Sequence, residues 1–228
     1  MILMIIPDKF VYLVALIIPC LIWSFLFVRR KDLRKEIIFI SCLIGILSVI
    51  TSYSWWTVDW WRPLTITNTV VGIEDFIMGF TTGGIMSVIY NFIFRNKYKR
   101  GVVRCNSKEA YLLLILMGGL TAFLINVIGM TSFWSSTISM SLFIILILFF
   151  RKDLLLDSLF SGILMMLISF SFYLVIILIS DTWVNNTYLY GLSGSRFLTI
   201  PIEEFIFWFL TGMWVGPFYE YCYGKKLK

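Results

Sequence analysis

Four carboxylates in two adjacent pairs carry most of the chemical information in this chain. Glu74-Asp75 and Glu203-Glu204 each open an apolar run, the second pair separated from Pro201 by Ile202 and from Phe207-Trp208 by Phe205-Ile206. A proline suits the first turn of a helix, where its missing N–H costs nothing. Carboxylates in that turn interact favourably with the helix N-terminus. Helix starts alone would explain one such pair. Two pairs at matching places on an apolar boundary are harder to explain that way, because ionisable groups there are costly and usually functional.

The chemistry open to them is narrow. The chain contains no His, which excludes His-ligated zinc, Ser-His triads and haem held by His. No metal site is expected, and no Gly-x-Gly-x-x-Gly fingerprint marks a dinucleotide, so the need for a cofactor stays open. Cys20, Cys42 and Cys222 read as ordinary apolar-helix residues and Cys105 as a loop thiol. Asp153 and Asp157, among Arg151 and Lys152, read as a solvated helix start. What remains is proton transfer. A carboxylic acid in an apolar pocket can donate a proton, and aromatic faces can stabilise a cation. Trp55, Trp56, Trp60 and Trp61 flank Asp59, and Trp183, Tyr188 and Tyr190 follow Asp181. An interfacial aromatic belt is the alternative for any one ring. Together, acids and rings suit proton-initiated chemistry on an apolar polyene.

The elements that must position these residues are membrane helices. Of 228 residues, 60% are hydrophobic and 14% charged, against about 25% charged in soluble domains. Apolar runs near the 20 residues of a membrane span lie at about 10–28, 36–56, 72–94, 110–130, 133–150, 154–180 and 201–223. The first ends in Arg29-Arg30 without a small-residue cleavage site and reads as a helix, not a signal peptide. The fourth and fifth are separated by only Thr131-Ser132. The net charge of +6 sits in short loops, so it orients the chain and does not point to nucleic acid. Arg29 to Lys35, Arg95 to Lys108, Arg151-Lys152 and Lys225 to Lys228 all fall on one side if there are seven spans. The expectation is a multi-pass plasma-membrane protein, N-terminus outside and C-terminus cytoplasmic. Arg62 and Arg196 are then the outer-side arginines, placed either to pair with the acids or to meet lipid headgroups.

The chain also repeats itself. Residues 71–90 align without gaps to 200–219, matching Glu74 with Glu203, Asp75 with Glu204, Thr82 with Thr211, Gly83 with Gly212 and Tyr90 with Tyr219. Arg30-Lys31-Asp32-Leu33 likewise matches Arg151-Lys152-Asp153-Leu154, and Glu36 then meets Asp157. The predicted fold class is all-α integral membrane: seven transmembrane helices forming two parallel three-helix repeats joined by an extra helix. The repeats are residues 1–94 and 132–228, and 95–131 holds the linker and extra span. Gly83-x-x-x-Ser87 and Gly212-x-x-x-Gly216 read as close-packing seams.

Pro201-Ile202-Glu203-Glu204-x-x-Phe207, preceded by an Asp/Trp-bearing loop and duplicated in a seven-helix frame, resembles the lycopene cyclase domain family of integral-membrane, heterodimer-type carotenoid cyclases. The resemblance implies an isomerase-type cyclase without net redox change. An acid would protonate a terminal double bond of a linear carotenoid, the cation would close a ring, and a base would remove a proton. Glu203 and Glu204 are carried over as the leading acid and base, with Glu74 and Asp75 second. Trp56, Trp60, Asp59, Phe207, Trp208, Asp181, Arg62 and Arg196 are the substrate-contacting candidates. Gly72 and Asp75 depart from the motif in the first repeat, so the two halves need not share one role. Partners would be the carotenoid, the bilayer, and either a second copy or other carotenoid enzymes. Two other classes fit less well: a proton-coupled or small-solute transporter, for which the spans carry few polar groups, and a non-enzymatic carotenoid-binding protein. A retinal protein would need a Lys in 201–223, which has none.

Overall fold

The computed structural model describes residues 6–94, 107–180, 182–189 and 193–225. Six helices there are long and apolar enough to cross a membrane: α1 (Asp8–Arg29), α2 (Lys31–Asp59), α3 (Ile73–Ile93), α4 (Ser107–Asn126), α5 (Ser132–Phe150) and α6 (Lys152–Ile179). Their bounds follow the apolar runs closely. After α6 come a short α7 (Trp183–Thr187) and a two-stranded hairpin, β1 (Arg196–Phe197) and β2 (Ile200–Pro201). The run at 201–223 is folded as α8 (Ile202–Val215) and α9 (Phe218–Tyr223). Pro217, which lacks the N–H a continuous helix needs, sits in the break between them. Gly224, at φ 60°, closes α9 in the left-handed conformation that glycine adopts without strain.

Local chemistry explains the irregularities. α1 is interrupted at Leu16, one turn ahead of Pro19, whose ring removes a helical hydrogen bond. α2 widens into a π-helical turn over Ser52–Trp56, a feature that often accompanies functional sites. Arg30 and Arg151 each form a two-pronged ion pair with the aspartate two residues on, 2.9 and 2.8 Å at their shortest. Each is followed by the same tight turn, Lys31–Leu33 or Lys152–Leu154.

The chain divides into two compact units: residues 1–85 with 167–205, and residues 86–166 with 206–228. The units collect segments that pack together and so interleave along the chain, whereas the repeats expected at 1–94 and 132–228 are drawn from sequence likeness. In the first unit, glycines bring α3 against α2. A Cβ on Gly79 would lie 2.7 Å from the Ile44 carbonyl, and one on Gly83 2.6 Å from Ile44 Cβ. In the second unit α8 packs on α6 through Gly212 and Gly216, where a Cβ on Gly212 would lie 2.6 Å from the Ser161 carbonyl. α4 and α5 form a hairpin there, turned at Gly129.

The second unit also buries polar groups. Asp157 is 2% exposed and accepts a hydrogen bond from Ser161, so it is not the solvated helix start its basic neighbours suggested. The neighbouring charges belong to Arg151, which turns away. Its guanidinium binds Asp153 and donates to the carbonyls of Glu220 and Lys225 at the end of α9. Asn91 donates to the buried Glu220 carboxylate at 3.0 Å.

One consequence is testable in the packing seam. Gly212→Val pushes atoms against backbone, which cannot swing aside as a side chain can. Overpacking of this kind costs about 1–3 kcal/mol. Thermal unfolding in detergent should therefore show a lowered midpoint for Gly212→Val. An unchanged midpoint would mean that α6 and α8 separate at no cost.

Candidate active site

All four carboxylates of the two pairs belong to the first unit, and all are buried, none more than 4% exposed. Within each pair the two members differ. The first member of each holds down the chain ahead of its own helix. Glu74 Oε1 accepts the backbone N–H of Ile66 at 2.6 Å, and Glu203 Oε1 accepts that of Ser193 at 2.6 Å. The other oxygen of each, Oε2, is buried without a hydrogen-bond partner among the described residues. These bonds tie the loop to the helix start.

The second member of each pair faces hydroxyls. Asp75 Oδ1 accepts from Ser52 at 3.3 Å, and Oδ2 accepts the Gly72 N–H at 2.9 Å. The π-helical turn of α2 places Ser52 there, with Thr57 capping the Ser52 carbonyl. Glu204 Oε2 accepts from the Tyr173 phenol at 2.6 Å, and the Tyr173 and Tyr188 oxygens are 2.6 Å apart. The register that matches Glu36 with Asp157 also sets Ser52 opposite Tyr173. The departure at Gly72 now has a physical effect. Its counterpart Pro201 has no N–H, so Glu204 cannot take the helix-start bond that Asp75 takes. A side chain one methylene longer meets a phenol instead of a serine.

Aromatic rings gather around these acids. The Tyr12 phenol, from the first turns of α1, is within electrostatic reach of Asp75, Glu74 and Glu204. The Tyr12 ring lies 5.7 Å from Trp61 and 6.1 Å from Trp183. Trp61 in turn lies 5.7 Å from Trp183 and 5.2 Å from Tyr188, mostly edge-on or tilted, the arrangement aromatic pairs prefer. The backbone fixes these rings. The segment after α2 pairs with the segment after α7 at Trp61 and Tyr188, through Arg62 N–H to the Thr187 carbonyl and Leu189 N–H to the Trp60 carbonyl. Asp8 ties α1 in, accepting from Ser180 through its carboxylate and from the Trp183 indole through its carbonyl. The hairpin before α8 turns tightly on Leu198 and Thr199, both at positive φ, and leads straight into the second acid pair.

Tyr188 lies in the loop beyond α7. Burial, then the nearby Glu204 carboxylate, pushes its phenol well above the usual tyrosine range, so it remains a protonated donor at neutral pH.

Not every residue singled out in the sequence joins the cluster. Trp60 is buried and Trp56 half-buried, the two rings 6.1 Å apart. Asp59 is half-buried at the end of α2. Arg62 is exposed, and Arg196, also exposed, donates to Asn185 and to the Thr199 carbonyl. Phe207 and Trp208 are buried in the second unit. Asp181 and Tyr190 lie outside the described residues. Sequence reasoning missed Tyr12, Ser52 and Tyr173. Tyr12 and Tyr173 did leave a signal, as polar-tipped rings inside otherwise apolar runs. No group of acids and thiols among the described residues forms a metal site.

A family model described as lycopene cyclase matches residues 131–222, a stretch that holds Tyr173, Trp183, Tyr188, Glu203 and Glu204. No curated protein and no solved structure matches the chain.

Proposed function

Because residues 131–222 match a family model described as lycopene cyclase, we propose that this membrane protein is a carotenoid end-group cyclase that works by protonation, ring closure and deprotonation. The observation that carries the reading is that Asp75 and Glu204, one from each acid pair, are buried in the same unit as the Tyr12, Trp61 and Trp183 rings. Glu204 accepts from Tyr173, whose oxygen meets that of Tyr188, and the Tyr188 ring lies against Trp61.

In this mechanism Glu204 gives its proton to the terminal double bond of a linear carotenoid such as lycopene. The neighbouring double bond supplies the electron pair that closes a six-membered ring onto the cation. Asp75 takes a proton from a carbon beside the resulting cation, and that C–H pair becomes the ring double bond. One proton enters and one leaves, so nothing is oxidised or reduced. The faces of Trp61, Trp183 and Tyr12 offer negative π density to the cation between these steps. Glu74 and Glu203 hold the chain segments ahead of the two helices in place. The reading keeps the expected frame: seven spans with α8 and α9 forming the last, two parallel three-helix repeats, and the acid-bearing ends on the side opposite the basic loops. With those loops cytoplasmic, the protein is a multi-pass plasma-membrane enzyme whose chemistry takes place near the outer face.

Expression in cells that accumulate lycopene tests the activity. The expected result is conversion of the pigment to mono- or bicyclic carotenoid, and chromatography of the product names the ring. Lycopene left unchanged but copurifying with intact protein would favour a binding protein over an enzyme.

A further inference from the structure

We infer that Tyr173 and Tyr188 form a phenol relay returning protons to Glu204, and that the two repeats thereby divide the work, the second donating and the first accepting. The inference rests on the cyclase reading and deepens it.

The argument begins with what each acid is bonded to. Gly72 N–H, which holds Asp75 Oδ2, can only donate. That oxygen is therefore kept as an acceptor, which suits a base. Tyr173, which holds Glu204, can donate to a carboxylate or accept from a carboxylic acid, so it serves both states of a group that must give a proton and regain it. The difference traces to two sequence changes between otherwise matching positions, Gly72 against Pro201 and Ser52 against Tyr173. Serine ends at its own hydroxyl. Tyrosine reaches further and meets a second phenol.

The relay also has a direction. Each phenol owns one hydrogen. With Tyr173 donating to Glu204, Tyr188 meets the 2.6 Å contact as the donor, and its phenol also lies within hydrogen-bonding range of the Glu204 side chain itself. The chain then runs Tyr188 to Tyr173 to Glu204, from the loop beyond α7 to the acid. Tyr188 is set by its backbone pairing with Trp61, and exposed Asn185 and Asn186 lie just before it in the chain. After a turnover Glu204 is a carboxylate and Asp75 a neutral acid. Asp75 gives its proton to water. A water proton passes to the Tyr188 oxygen as the Tyr188 hydrogen moves to Tyr173 and the Tyr173 hydrogen moves to Glu204 Oε2. Every proton is accounted for and both phenols are restored.

The test uses membranes containing the full chain and dispersed lycopene. Tyr173→Phe keeps the ring and removes the hydroxyl. Turnover should fall about 100-fold, at the lower end of general acid–base contributions, with KM changed by less than about twofold. Azide or formate, small weak acids able to carry a proton past the missing hydroxyl, should restore much of the lost rate. Tyr188→Phe should show a milder loss with the same rescue, and it decides the matter by the same criteria if Tyr173→Phe does not fold. Full activity without the phenol, or a loss that no weak acid relieves, would overturn the relay alone. A wild-type chain that leaves lycopene untouched would overturn the cyclase reading and the relay with it.

Discussion

Glu204→Gln is expected to stop ring formation almost completely, lowering turnover by about 10²–10⁴-fold, as loss of a general acid does. The amide keeps the size of the side chain and can still meet Tyr173, but it has no acidic proton to give. Asp75→Asn should cost a similar factor from the other side of the reaction, because an amide is a poor base. The neighbours serve as controls. In Glu203→Gln and Glu74→Gln the amide oxygen still accepts the backbone N–H of Ser193 or Ile66, so most activity should survive. Assaying the four variants side by side in lycopene-containing membranes checks the assignment. A Glu203→Gln variant as dead as Glu204→Gln would move the acid to Glu203, whose Oε2 is buried and has no hydrogen-bond partner among the described residues.

Trp183→Ala should be the most damaging of the ring substitutions, lowering stability by about 3–5 kcal/mol, the usual cost of emptying a large aromatic site. Trp183 is 1% exposed and contacts both Tyr12 and Trp61. Its indole N–H also binds the Asp8 carbonyl, so truncation loosens the start of α1 as well. Trp183→Phe retains a ring and loses the hydrogen bond, and should fall between the two. Thermal unfolding in detergent, with wild type as reference, reads the difference. A midpoint for Trp183→Ala within error of wild type would mean that the ring cluster is not what fixes the acid-bearing end.

The spans were legible because membrane helices need long apolar runs, and those runs are hard to disguise. The acid pairs were legible because they are duplicated: Glu74-Asp75 and Glu203-Glu204 stand out by repetition more than by type. The division of labour proposed for them was not legible. It depends on which donor reaches which oxygen, and on Pro201 lacking an N–H that Gly72 has. Ser52 and Tyr173 show the limit well. They fall at matching places in the self-alignment of the sequence, but a serine in a serine-rich helix raises no signal, and the polar tip of Tyr173 does not say which acid it meets until the fold sets it there. Asp157 misled for the opposite reason. Its basic neighbours suggested solvent, whereas Arg151 folds away onto Asp153 and the carbonyls at the end of α9.

The central claim is that a carboxylic-acid proton starts the ring, and one measurement addresses it directly. Membranes containing the protein in excess are equilibrated in deuterium oxide, and lycopene is added for a single turnover. The cyclic product is then weighed by mass spectrometry. The account predicts one carbon-bound deuterium for each ring formed, with no other change in mass. Rings closed without deuterium would contradict it, because the proton that began the reaction would not have come from an exchangeable acid.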